Sequence, residues 1–176
     1  MINMGEPSVT VPSAATLWRS TGYSVLAVGI MAGLVPWLLT RVWPMGSTIL
    51  GGIPRWVDIV FLLAGAGVYG WCAWVFAVAG RGTPAPIDAP KELVVRGLYQ
   101  FTRNPMYLGI LMMLLAEAFL FASRTIFIYA LIMFVAFHAF VLFFEEPSLR
   151  HKFGQPYEDY RRRVPRWWPR GQGKSS

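Results

Sequence analysis

Four stretches of this sequence are long and apolar enough to cross a bilayer, and that constrains everything else about it. A crossing takes about 20 mostly apolar residues for a hydrocarbon layer of about 30 Å. Gly22 to Thr40 carries no charge, Trp56 to Gly80 carries only Asp58 near its start, and Pro105 to Ala122 has one acid, Glu117. Thr125 to Phe144 has no Asp, Glu, Lys or Arg, and His138 is its one group with a pKa near neutrality. Without water, backbone N–H and C=O groups must be satisfied within the segment, so each window is predicted as a helix. The expected fold class is therefore all-α: a polytopic membrane protein of about four transmembrane helices. Only Ser123 and Arg124 separate the last two windows, which predicts an antiparallel C-terminal hairpin with Arg124 at its tip. Trp37, Trp43 and Trp56 fall at window ends, as interface anchors do.

Charge orients this arrangement. The net +7 comes from 16 Lys and Arg against 9 Asp and Glu, and eight of the basic residues lie beyond Glu145. The loop from Arg81 to Arg103 holds Arg81, Lys91, Arg96 and Arg103, and the hairpin places it on the side of the tail that holds Arg161, Arg162 and Arg163. The positive-inside bias makes that side, the C-terminus and with four spans the N-terminus cytoplasmic. The other basic residues are scattered between apolar runs, so the expected partner is the lipid bilayer and not a nucleic acid. The absence of organelle signals points to a bacterial-type plasma membrane. One cysteine, Cys72, and two histidines, His138 and His151, cannot assemble a structural zinc or iron–sulfur site, so no metal is expected. Residues 1–20 lack the charged start and cleavage site of a secretory signal and read as a loose terminus. Residues 41–55, broken by Pro44, Gly51-Gly52 and Pro54, form a loop.

Polar groups at membrane depth are costly, which makes each a candidate for function. Asn104-Pro105 opens the third helix with an expected N-cap and a proline in the first turn, with Tyr99 and Tyr107 nearby. His138, Val141 and Glu145 share one face of the fourth helix at i, i+3 and i+7. Glu145 and Glu146 are expected at its C-terminal end, where the macrodipole disfavours acids and calls for a cation. That cation is either a neighbouring Arg or Lys, or a ligand bearing positive charge and hydroxyls. Gly65, Gly67 and Gly70 either permit close helix packing or let a cofactor approach the backbone. Glu117 is expected to pair with Arg124 or snorkel outward, and His138 to act as an interhelical hydrogen bonder or a base.

The run Leu93-Val94, Gly97, Tyr99, Arg103-Asn104-Pro105, Tyr107, Gly109, followed by Glu145-Glu146, Leu149, Phe153-Gly154, Tyr157, Tyr160 and Val164-Pro165, resembles the isoprenylcysteine carboxyl methyltransferase family. The resemblance covers residues 91–169 as a methyltransferase core, with 21–90 as N-terminal helices and loop and 170–176 as a polar tail. It implies an S-adenosyl-L-methionine pocket facing the cytoplasm. The cofactor contacts it implies are Lys91, Glu92, Leu93 and Val94, largely through backbone, then Tyr99, Asn104, Pro105, Met106, Tyr107 and Glu145. The related phospholipid methyltransferases carry a Gly-x-Gly and a Glu-Glu motif, to which Gly65, Gly67, Glu145 and Glu146 are similar. Asn104 replaces the His of the eukaryotic enzymes. Val141 replaces an Arg they use for substrate, which argues against a prenylcysteine carboxylate. The implied activity is methyl transfer to a small or lipid-like apolar acceptor. Arg150 is available for any acceptor charge, and His138 or Glu146 for any proton that must leave. The alternatives are a prenylcysteine carboxyl methyltransferase, an NADPH-dependent sterol-reductase-like enzyme and a non-catalytic membrane scaffold.

Overall fold

The computed structural model describes residue 22 and residues 26–44, 54–79 and 93–168, with side chains through 75 in the second of these stretches. Lys91, Glu92, most of the 41–55 loop and the polar tail after Trp168 lie outside the described residues. Five helices account for most of what is described: α1 (Leu26–Val42), α2 (Arg55–Ala79), α3 (Pro105–Leu120), α4 (Arg124–Phe153) and α5 (Gln155–Arg163). Among the described residues there is no strand. α2 and α4 contain stretches, Arg55–Val75 and Arg124–Phe153, long and apolar enough to cross a membrane, whereas α1 and α3 are apolar but shorter. Leu63, Trp74, Val135 and Phe143 on α2 and α4 are each more than 60% exposed. Apolar surface on that scale suits hydrocarbon, not water.

The hairpin forms as expected. Ser123 caps α4 by accepting from the Ile126 N–H at 3.3 Å, and Ala122 turns the chain with φ of 44°. α2 lies along α3 because two glycines meet. A Cβ on Gly65 would fall 2.8 Å from the Gly109 carbonyl oxygen, and one on Gly109 would fall 2.9 Å from that of Gly65. Only hydrogen at both positions permits this crossing.

Two expectations need correction. Glu145 and Glu146 do not end the fourth helix, which runs on to Phe153, so the unfavourable end of its dipole lies two turns further along. The chain passes Pro147 by widening one turn: the Glu146 N–H reaches five residues back to the Val141 carbonyl, so the missing proline amide interrupts the ladder without ending the helix. Gly154, at φ of 55°, makes the real break before α5. Glu117 neither pairs with Arg124 nor reaches solvent. It is buried, and one carboxylate oxygen has no partner among the described residues.

Candidate functional site

A cavity of about 490 Å³, within the range of small-molecule sites, opens between α1, α3 and α4. Its composition follows from the antiparallel hairpin. The first turns of α3 lie beside the α4 turn that carries Glu145, so Arg103, Asn104 and Tyr107 meet that carboxylate at one end, with Tyr99 from the short helical turn Gly97–Gln100. One to three turns further along both helices the lining becomes Ile110, Met133, Phe137 and Phe140, with Met31 from α1. One end of the cavity is therefore polar and the other apolar.

The widened turn at Val141–Glu145 separates the roles of the two adjacent acids. Glu145 faces the cavity, where its Oε2 accepts from the Tyr107 hydroxyl at 3.0 Å. Tyr107 also stacks on Phe137 at 4.7 Å between ring centroids, which fixes the wall between α3 and α4. Glu146 faces away and is saturated. Its Oε1 accepts from Arg103 Nη1 at 3.0 Å and Arg166 Nε at 2.6 Å, and its Oε2 accepts from Arg166 Nη2 at 3.0 Å. The cation expected from a neighbouring loop or tail is thus present for Glu146, and present twice. Glu145 is left facing the cavity.

The segment after α5 sews this network shut. The Arg166 carbonyl accepts from Thr102 Oγ1 at 3.1 Å and Asn104 Nδ2 at 3.0 Å, and the Pro165 carbonyl accepts from the Arg103 N–H at 3.0 Å. Asn104 stands at the start of α3 without capping it, and its amide nitrogen is turned to this strap instead. Beneath the strap the Tyr160 hydroxyl donates to the Tyr99 carbonyl at 2.7 Å. Burial pushes the phenols of Tyr99 and Tyr160 up, so both stay protonated and the Tyr160 donor is permanent. Arg103 Nε is buried and has no acceptor among the described residues. A cavity-lining guanidinium and an acceptor carboxylate on the same wall fit a ligand that carries an anion, a cation and hydroxyls.

The structure brings together Tyr99, Asn104, Met106, Tyr107 and Glu145 on the cavity wall. Val94 packs with Cys72 and Tyr99 behind it, Leu93 packs against the tyrosines of α5, and Pro105 is buried. Gly65 serves the crossing with α3, and Gly67 has open space where a side chain would go, so neither lines the cavity. His138 does not line it either; its Nδ1 accepts from Trp167 Nε1 at 2.9 Å beside Phe134. Val141 does not line it; it faces an adjoining cleft of about 20 Å³, room for about one water, that shares Arg103, Asn104 and Glu145 with the cavity, and Arg150 pairs with Glu158 at 3.1 Å. Sequence reasoning missed Arg166 and the site role of Arg103. The only available signal was the pairing of two unassigned arginines with a Glu-Glu pair.

The phospholipid methyltransferase family model matches residues 54–156, more than half of the chain. A curated relative, methanethiol S-methyltransferase 2 of Bradyrhizobium diazoefficiens, is 31% identical over 139 residues, which are 79% of this chain and 48% of the relative. The chain thus spans about half the length of the curated relative it matches.

Proposed function

The chain belongs to the phospholipid methyltransferase family, and from that premise we propose that it is an integral membrane methyltransferase using S-adenosyl-L-methionine on a small or lipid-like apolar acceptor. The observation that carries this reading is the two-ended cavity, polar between Tyr99, Arg103, Asn104 and Glu145 and apolar between Met31, Met133 and Phe140. We take all four apolar helices as spans, with the polar end, α5 and the strap on the cytoplasmic side of a bacterial-type plasma membrane. The cofactor is then reached from the aqueous side and the acceptor from the bilayer.

When bound, the cofactor's sulfonium supplies an electrophilic methyl group. The Arg103 guanidinium would meet its carboxylate, while Glu145 would accept from its ammonium or ribose hydroxyls. The remaining task of the protein is alignment and exclusion of water, which the Tyr107–Phe137 stack and the methionine-lined interior serve. A thiol acceptor, the kind named for the relative, must lose a proton, and Glu145 is the carboxylate on the described cavity wall. His138 and Glu146 are already committed to Trp167 and to two arginines, which argues against the base roles suggested for them by sequence.

The test is calorimetry in detergent with the cofactor and its demethylated product, followed by labelled-methyl transfer to methanethiol, 1-decanethiol, a bacterial lipid extract and a prenylcysteine analogue. Saturable cofactor binding with label in a thiol or lipid product is expected. A preference for NADPH, or label confined to the prenylcysteine, would reject the reading.

A further inference from the structure

The α1 wall of the cavity is built differently from the others. Within α1 the Val35 N–H reaches five residues back to the Ile30 carbonyl, and Ala32 leaves helical geometry at φ −114° and ψ 24°. In that widened register the amide due to bond the Met31 carbonyl belongs to residue 36, which is a buried proline. Met31 therefore has a carbonyl with no donor in its own helix, in a segment with no water to supply one. The donor comes from across the bundle: the Tyr129 hydroxyl on α4 reaches the Met31 carbonyl oxygen at 3.3 Å. Met31 itself lines the apolar end of the cavity, with Ala27 one turn earlier. At the other end of α1 a second tie joins Thr125 Oγ1 to the Trp43 carbonyl at 2.8 Å. Among the described residues, this hydroxyl is the one hydrogen bond that joins the half of α1 before the kink to α4, beside the packing of Val28, Met31 and Ala32 on the core.

We propose that Tyr129 is a positioning residue that holds the Met31 segment of α1 in place and so sets the fit of the acceptor at the apolar end, leaving the cofactor end untouched. The proposal rests on the methyltransferase reading above for the meaning of the apolar end. Tyr129→Phe keeps the ring, which packs against the core, and removes only the donor. Pro36→Ala supplies an amide that can bond Met31 from within α1, so it should rescue Tyr129→Phe.

Spin labels at exposed positions 26 and 135, in a Cys72→Ala background, read the separation of α1 from α4 without any turnover. One narrow distance distribution is expected for the parent, a broadened one for Tyr129→Phe, and a narrowed one again for Tyr129→Phe/Pro36→Ala. In parallel, the KM for 1-decanethiol should rise about three- to tenfold in Tyr129→Phe, the size of one lost hydrogen bond, and recover in the double variant. Affinity for the demethylated cofactor should change by less than about twofold. An unaltered distance distribution in Tyr129→Phe, no recovery with Pro36→Ala, or equal losses of cofactor and acceptor affinity would each overturn the proposal. If the parent turns over no thiol, the acceptor reading fails, while the distance measurement still decides the role of Tyr129.

Discussion

The cavity is walled by two helices that meet a proline in the same way and are secured in opposite ways. In α1 and in α4 an amide one residue before proline reaches five residues back, giving widened turns at Ile30–Leu34 and Val141–Glu145. The residues flanking the α4 turn keep helical dihedrals, and that turn is locked by Tyr107 on Glu145 and by two arginines on Glu146. The α1 turn contains a residue outside helical geometry, and among the described residues one side chain, the Tyr129 phenol, hydrogen-bonds to it. The comparison teaches that a proline-widened turn is not inherently soft. Its stiffness is set by what satisfies the groups it displaces, and here the stiff copy bounds the polar end and the loose one the apolar end.

The most severe way to break this contrast is to empty the stiff side. Glu146→Ala leaves Arg103, whose side chain is only 10% exposed, without its carboxylate, and an uncompensated buried charge costs about 3–5 kcal/mol. Denaturation in detergent should show a loss of that order; a variant as stable as the parent would mean the network is ornamental. Next in size is Glu145→Ala, which should weaken cofactor binding by about 1.5–3 kcal/mol, the worth of a charged hydrogen bond, with the unfolding midpoint little changed. Calorimetry against the demethylated cofactor checks it.

A steric contrast sharpens the same division. Gly65→Ala drives a methyl group onto the Gly109 backbone and should cost about 1–3 kcal/mol, whereas Gly67→Ala meets nothing and should be neutral or stabilising. Equal melting points for the two would refute the close crossing. The smallest effect belongs to Pro147→Ala. With three side chains holding Glu145 and Glu146, cofactor affinity should stay within about fivefold of the parent, or about 1 kcal/mol. A larger loss would show that the proline, and not the network, stiffens the α4 turn.

The windows around Phe61, Leu114 and Phe137 announced helices because their apolar runs admit nothing else in a bilayer, and Ser123-Arg124 announced the hairpin because two residues leave no room for another path. The polar end was legible too, since Tyr99, Asn104, Tyr107 and Glu145 sit at fixed spacings within one local motif. What was hidden depends on register. Nothing in Glu145-Glu146-Pro147 reveals that one acid turns inward and the other outward, because that follows from a five-residue hydrogen bond decided by tertiary ties. Gly65 was ambiguous for a related reason: a missing side chain looks the same in sequence whether a cofactor or another helix occupies the space, and the structure shows the helix.

The strap from Val164 to Trp167 gives the site a place in time. Its bonds to Thr102 and Asn104 span 64 and 62 residues of sequence, and its arginine completes the pairing of Glu146. During synthesis, at about 5–20 residues per second, the first three helices are made before these partners are. The polar end is therefore completed late, when Arg166 reaches Glu146, after the first three helices have been made.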